Sequence, residues 1–374
     1  MSPRIAPLLC SLLLLAACDD SKPEARKADP AKAEVKTENA DADAKQLDAK
    51  QPDAKQPDAK TEAQPADAKV EVEKTDEEKA KEEEERKARL TKSMAELEEW
   101  KTSEQARWSE EVEAAVVKLI ETEAAASEAI AAILASPHRH PDNVLRDEQR
   151  HPAETLAFFG VKPDMTVIEI GPGWGWYTEI LAPLLAAHGK LVVTDYDPDG
   201  PEDQGQTLYA RRFQAFRARS DAAYGKIERI VQADPKTLDL GPDGSADMVL
   251  VIRGLHGWVN RGVFDDNVAK VYAALKPGGM VGVVQHRAKD DAKVEDAAKQ
   301  GYLPQPWVVE RFQAAGFELA EASEINANPK DTKDYAEGVW TLPPTLTLGD
   351  TDKDKYVGIG ESDRMTLRFV KKAP

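Results

Sequence analysis

A formal net charge of -18 on 374 residues, with 32% charged and 41% hydrophobic side chains, is enough apolar material for one sizeable core but not for a core along the whole chain. The acidic balance argues against a nucleic-acid partner, since binding phosphate backbones needs a basic surface. Only Cys10 and Cys18 carry thiols, so the bulk of the chain has no disulfide framework, thiolate metal site or cysteine nucleophile.

Residues 1–18 have the form of a targeting segment. Arg4 gives a positive start, Ile5 to Leu15 a short apolar run, and Ala16 and Ala17 precede Cys18. The run is too short for a stable bilayer-spanning helix. The ending Leu15-Ala16-Ala17-Cys18 resembles the lipobox of bacterial lipoproteins. That resemblance implies lipidation at Cys18 and a membrane-anchored protein on the periplasmic or cell-envelope side.

Residues 19–76 are built from Ala, Lys, Asp, Glu, Pro and Gln, with Asp-Ala-Lys recurring at 43–45, 48–50, 53–55, 58–60 and 67–69. A five-residue period fits neither helix nor strand, and Leu47 with three valines is all the large apolar material there, so a solvated spacer is expected. Over 77–136 the pattern changes. Glu82/Arg86, Glu83/Lys87 and Glu85/Arg89 are acid-before-base pairs four apart, as an exposed helix favours. Leu90, Met94 and Leu97 form one apolar stripe, Trp108, Val112, Val116 and Leu119 a second, and Lys101 and Glu104 interrupt them. The spacing predicts one long amphipathic helix with a poor coiled-coil seam, for which self-association and docking on the domain are both open.

From 137 to 374 strand and helix signals alternate. Strands are expected at Thr166–Ile170, Lys190–Asp195, Ile227–Gln232, Asp247–Ile252, Met280–His286 and Phe317–Ala320, with a last one through Met365, Leu367 and Phe369. Helices are expected at 152–159, 176–187, 207–224, 263–275 and 307–315. Such alternation implies right-handed crossovers and a Rossmann-like α/β fold, with helices on both faces of a seven-stranded, mostly parallel sheet. Ligands of such sheets bind beyond the carboxyl ends of the strands.

The densest motif is Val167-Ile-Glu-Ile-Gly171-Pro-Gly173-Trp-Gly175, at the end of a strand and before a helix. Glycines there let the backbone turn sharply and approach a ligand, and the helix start offers free N–H groups to an anion. A dinucleotide fingerprint would place its third glycine at 176, which is Trp, so a nicotinamide enzyme is disfavoured. The G-x-G-x-G loop with an acidic residue inside the strand resembles motif I of class I S-adenosylmethionine-dependent methyltransferases. That resemblance implies S-adenosyl-L-methionine as cofactor, with Glu169, Gly171, Gly173 and Gly175 shaping its methionine end. It also implies a ribose-binding carboxylate at Asp195, with Asp197 the competitor, and an adenine contact at Asp234, which can equally be a turn residue before Pro235. Leu275-Lys-Pro-Gly-Gly279 resembles the family's turn into strand five. The stretches Asp147-Glu-Gln-Arg150-His-Pro, Trp176-Tyr177-Thr178-Glu179 and Glu361-Ser-Asp-Arg364-Met resemble a bacterial predicted-methyltransferase group.

A base is needed only where the methyl acceptor loses a proton. His256, in Arg253-Gly-Leu-His256-Gly-Trp258, and His286, in Gln285-His286-Arg287, fall at the carboxyl edge of the sheet; each can be a base or a structural histidine. Tyr177 can line the pocket or pack, as can Trp174, Trp176 and Trp258. His138, His140 and His151 form no recognisable metal-ligand set. A small-molecule or peptide methyl acceptor is expected. A catalytically silent methyltransferase-like domain is the alternative, motivated by the export signal, because the cofactor is a cytosolic metabolite. Neither the acceptor nor the oligomeric state is encoded in these motifs.

Overall fold

The computed structural model describes residues 75–373, Pro235 excepted. The targeting segment 1–18 with Cys18, and the spacer up to residue 74, lie outside the described residues. Among the described residues no helix is long and apolar enough to cross a membrane.

Three helices precede the sheet: α1 (Asp76–Arg107), α2 (Glu110–Glu121) and α3 (Ala126–Leu134). Thr75 and Glu78 close a capping box at the start of α1, where Asp76, Glu77 and Glu78 also meet the positive end of the helix dipole. The single helix expected over 77–136 is thus broken twice. The first break comes because the Ser109 side chain accepts from the Val112 N–H and starts a new helix. The second falls in the non-helical stretch at 122–125, after Thr122 turns extended.

The chain continues through α4 (Pro141–Val144), α5 (Asp147–Arg150), α6 (Pro152–Phe159), β1 (Thr166–Ile170), α7 (Thr178–Leu185) and β2 (Lys190–Asp195). Next come α8 (Gly205–Arg217), α9 (Asp221–Tyr224), β3 (Glu228–Val231), β4 (Ala246–Ile252), α10 (Leu255–Asn260), α11 (Phe264–Ala274) and β5 (Leu275–His286). Then follow α12 (Val294–Lys299), α13 (Gln305–Ala314), β6 (Phe317–Ser323), a 3-10 turn at Gly338–Thr341, α14 (Lys353–Ile359) and β7 (Arg364–Lys371). The helix expected over 207–224 is divided because Ser220 caps a fresh turn at α9. Leu275-Lys-Pro-Gly-Gly279 is not a turn ahead of β5 but an irregularity within it: Ala246 pairs with Leu275, Met248 with Met280, and the residues between are looped out.

The seven strands form one sheet in the order β3-β2-β1-β4-β5-β7-β6. β1 to β5 pair in parallel, and β7 runs antiparallel to both β5 and β6. Alternation along the strands sorts the core into two layers. Val167, Val193, Leu250 and Val284 face one layer, filled by Ile130 of α3, Leu156 of α6, Ile180 of α7 and Phe213 of α8. Ile168, Val192, Val251 and Val283 face the other, with Val268 of α11 and Phe312 of α13.

The helices ahead of the sheet are docked on it. Leu97 of α1 is buried, and Leu90 and Met94 border a hollow shared with Arg211 of α8. The Arg86 guanidinium donates to the Asp203 carbonyl at 2.5 Å. Glu104, the charge that interrupts the apolar stripe, is buried as an ion pair with Arg107 at 2.6 Å and Arg219 at 2.7 Å. Val112 and Val116 are buried as well, Val116 within the layer formed by α3, α6, α7 and α8.

Candidate functional site

The glycine-rich turn leaves β1 at Gly171, and its shape is held from behind. Gly171, Gly173 and Gly175 have φ of 64°, 59° and 76°, a region that costs any residue with a β-carbon. The Gly175 N–H closes the turn onto the Pro172 carbonyl at 2.9 Å. A β-carbon at Gly175 would come within 2.5 Å of the Phe216 ring, whereas one at Gly171 or Gly173 would meet nothing within 4 Å. Glycine is therefore required at 175 by packing, and at 171 the space in front of the backbone is open.

Glu169 is buried and does not reach that space. Its Oε2 accepts from Thr178 Oγ1 at 2.6 Å, tying β1 to the first turn of α7. Burial pushes its pKa up to about 7, against the opposing Thr178 hydrogen bond. No side chain caps the start of α7, and its Glu179 and Ile180 N–H groups donate to the Gly175 and Tyr177 carbonyls at 2.8 and 2.9 Å.

The open space is a cleft of about 300 Å³ at the carboxyl ends of β1 to β4, bordered by Gly171, Asp195, Asp234, Arg253 and His256 among others. Ile170, Leu238, Ile252 and Trp258 give it apolar walls. It lies on both sides of β1, where the strand order reverses. Of the residues singled out from sequence, Gly171, Asp195, Asp234 and His256 are brought together here. Gly173, Gly175, Glu169, Tyr177 and His286 do not border the cleft.

Asp195 is almost fully buried, and both its oxygens already have protein donors. Oδ2 accepts from Arg229 Nε at 2.8 Å and from Nη2 at 2.7 Å, and Oδ1 accepts from the Tyr196 N–H at 2.8 Å. Burial raises its pKa, with the Tyr196 and Arg229 contacts working against the rise. A carboxylate has about four lone-pair sites, so acceptor capacity remains. Asp234 is exposed and both turn residue and cleft residue, its Oδ1 accepting from the Lys236 N–H at 2.8 Å.

His256 sits in the first turn of α10. The Gln285 side chain is oriented by the Leu255 N–H donating to its Oε1 at 3.2 Å and by its own Nε2 donating to the Gly301 carbonyl at 2.9 Å. The remaining amide hydrogen is shared between His256 Nδ1 and the His286 carbonyl, each at 3.4 Å, and the first of these long contacts favours the His256 tautomer with the proton on Nε2. Burial lowers the His256 pKa. The His286 ring lies 6.1 Å from that of His256, with Nδ1 2.5 Å from Ser362 Oγ. Burial, then the nearby Arg253, holds its pKa well below the ordinary histidine value. Both shifts favour the neutral ring.

The three tryptophans do not form one wall. Trp258 borders the cleft, Trp174 packs on Trp100 and under Arg212, and Trp176 is buried between Arg139 and Arg150. Tyr177 is buried edge-on against Trp176 at 4.7 Å, so the packing alternative describes it. His138 is buried between the Ser136 hydroxyl and the Glu179 carbonyl, and among the described residues no acid, histidine or cysteine cluster can hold a metal ion.

Two of the short stretches quoted from sequence meet in space. Arg150, at the end of α5, donates through Nε to Glu361 at 2.9 Å across 211 residues, and Arg364 donates to the same carboxylate at 2.6 Å. The Gln149 carbonyl accepts from Arg364 at 2.5 Å, and the Gln149 side chain accepts from the Glu361 N–H. Arg253, one residue beyond β4, carries a left-handed φ of 56°. The sequence reading gave Arg150, Arg253, Glu361 and Arg364 no role. The available signal was that two charged stretches flank the domain with opposite signs among them.

No protein-family model matches the sequence, and no curated protein does. Solved structures do. A SAM-dependent methyltransferase from Aquifex aeolicus is 15% identical over 66% of this chain and 98% of its own, with a TM-score of 0.40. A SAM-dependent methyltransferase from Methanosarcina mazei is 14% identical over 59% and 97%, with a TM-score of 0.38. The [4+2]-cyclase SpnF is 15% identical over 60% and 82%, with a TM-score of 0.41. What the cleft does has to be read from its own residues.

Proposed function

We propose that the domain is an S-adenosylmethionine-dependent methyltransferase acting on a small-molecule or peptide acceptor. One observation carries the reading: the Gly171 turn, the Asp195 carboxylate and His256 border a single cleft at the carboxyl ends of β1 to β4. Open space before Gly171 suits the close approach of a ligand to backbone, and the apolar walls suit an adenine ring. When bound, the cofactor supplies an electrophilic methyl carbon, whose bond to sulfur breaks, leaving its electron pair on sulfur, as the acceptor's lone pair forms the new bond.

The protein's contribution is placement. Asp195 accepts from ribose hydroxyls through the lone pairs that Arg229 and Tyr196 leave free, Asp234 lies on the adenine side, and Glu169 with Thr178 holds the loop. An acceptor that must lose a proton gives it to His256, the histidine that borders the cleft, once its Nδ1 gives up the long Gln285 contact; His286 lies outside the cleft lining. Tyr177 takes no part.

Calorimetry with S-adenosylmethionine and its demethylated product tests the reading. Binding in about the micromolar range is expected, weakened about 10- to 100-fold in Asp195→Ala, the loss typical of hydrogen bonds to a charged group. A second reading, a catalytically silent ligand-binding domain, is favoured by the Arg229 and Tyr196 donors already on Asp195. Folded wild-type protein that gives no heat with either compound would establish that second reading in place of the first.

We also infer that Cys18 carries a lipid that anchors the domain at the cell envelope. Mass spectrometry of the mature N-terminus is expected to find diacylglycerol on Cys18; an unmodified chain beginning upstream of it would refute the anchor.

A further inference from the structure

The arginines behind the cleft are not balanced. Among the described residues Glu361 is the one carboxylate paired with Arg146, Arg150 or Arg364, at 3.6, 2.9 and 2.6 Å, and the Arg253 side chain has no ion-pair or hydrogen-bond partner. Four guanidinium groups against one carboxylate leave three positive charges unmatched. Arg150 and Arg364 are each 3% exposed. Both Nη atoms of Arg150 and the Nε of Arg364 are buried without a partner, and the Arg150 guanidinium lies 5.0 Å from the Trp176 ring centre, which does not replace an acceptor. Buried charge of one sign is costly unless something of the other sign joins it.

Arg253 connects this cluster to the cleft. It borders the cleft directly, and burial, joined by the field of Arg150, Arg364 and Arg146 and opposed by Glu361, pushes its pKa well below the ordinary value. Its backbone is held left-handed by an N–H that donates to the Val284 carbonyl at 2.6 Å. An arginine kept in that conformation at a strand end, beside neutral His256, is placed for a ligand rather than for packing.

We propose that the methyl acceptor is an acid, whose carboxylate or phosphate is held by Arg253 at the β4 end of the cleft within the positive field of Arg150, Arg364 and Arg146. The proposal rests on the methyltransferase reading and names its substrate class. A methionine carboxylate at the cofactor end would neutralise one charge of the three, leaving two for the acceptor. The acid group serves as a handle, and the atom that receives the methyl group lies elsewhere on the same molecule, because a carboxylate held by guanidinium groups is a weakened nucleophile.

The test uses the full-length chain loaded with S-adenosylhomocysteine, titrated with inorganic phosphate and, separately, acetate at constant ionic strength, and followed by tryptophan fluorescence and calorimetry. Saturable binding of one of the two anions is expected, separating a phosphate from a carboxylate acceptor. It should weaken about tenfold or more in Arg253→Met and stay within about threefold in Arg253→Lys, with the affinity for S-adenosylhomocysteine unchanged in both. Absence of saturable binding of either anion overturns the proposal. So does an equal loss of anion and S-adenosylhomocysteine binding in Arg253→Met, which would assign the arginine to the cofactor's own carboxylate. Should the wild type fail to bind S-adenosylhomocysteine, the methyltransferase reading falls, and the proposal with it as regards methylation; anion binding that depends on Arg253 would then mark an acid-binding site of another kind.

Discussion

Replacing Gly175 by alanine should destabilise the domain by about 3 kcal/mol, seen as a fall of roughly 6–12 °C in its unfolding midpoint. Two independent costs add. The residue sits at φ 76°, where a β-carbon costs roughly 1–2 kcal/mol. The new methyl group would also lie 2.5 to 2.8 Å from three atoms of the Phe216 ring, which is buried and stacked on Phe213, so neither ring can retreat without disturbing the core. Gly173→Ala isolates the first cost, because φ there is 59° and the added carbon meets nothing within 4 Å; roughly 1–2 kcal/mol is expected. A Gly175→Ala, Phe216→Leu double variant should recover part of the loss, as a double-mutant cycle would measure. Equal losses at 173 and 175 would show that conformation alone sets the cost and that the ring contact is unimportant.

Glu361→Gln should cost about 3–5 kcal/mol at neutral pH, the scale for removing one partner from a buried ion cluster. Burial alone would raise the Glu361 pKa, but Arg150, Arg364 and Arg253 outweigh it and hold it down to about 2. An unfolded glutamate titrates near 4.3, so the folded form is depressed by roughly two units, worth about 3 kcal/mol. The sign follows from the depression. The contribution is fully present above the unfolded value, declines as pH falls from about 4.3, and is gone near pH 2. Urea titrations at several pH values should therefore show a shallower acid limb in Glu361→Gln than in wild type, the remaining slope belonging to groups such as Glu104 and Asp363, whose pKa values are also lowered. An unchanged neutral-pH stability would mean that the arginines find other compensation.

Much of the sheet was legible because its strands are short β-branched runs set off by glycine, proline and acidic residues. Thr166–Ile170 and Lys190–Asp195 have the bounds read from sequence. The order of strands beyond β5 could not be read, because nothing local in Phe317–Ser323 or Arg364–Lys371 says which of the two lies beside β5. Helices of six or seven residues such as α10, α12 and α14 carry too few turns for a periodic signal. The positions of Gly171, Asp195, Asp234 and His256 at one edge follow from where strands end, which is a local property. The arginine cluster does not: its central contact joins residues 211 apart. The Arg229–Asp195 pair is intermediate. It follows once β3 is known to pair with β2, since Asp195 is opposite Val231 and Arg229 lies two residues back on the same face.

β7 lies in the interior of the sheet although it follows the other six strands in the chain, and among the described residues the only strand neighbour of β6 is β7. During synthesis, the flank of β5 therefore stays bare and β6 has nowhere to pair until residues 364–371 leave the ribosome. The same late segment delivers Glu361, so the positive charge of Arg150 and Arg146 is uncompensated until then. Closure of this half of the domain waits, by topology, for β7, and every nascent chain passes through a stage with an unpaired strand edge beside an unbalanced cluster of cations.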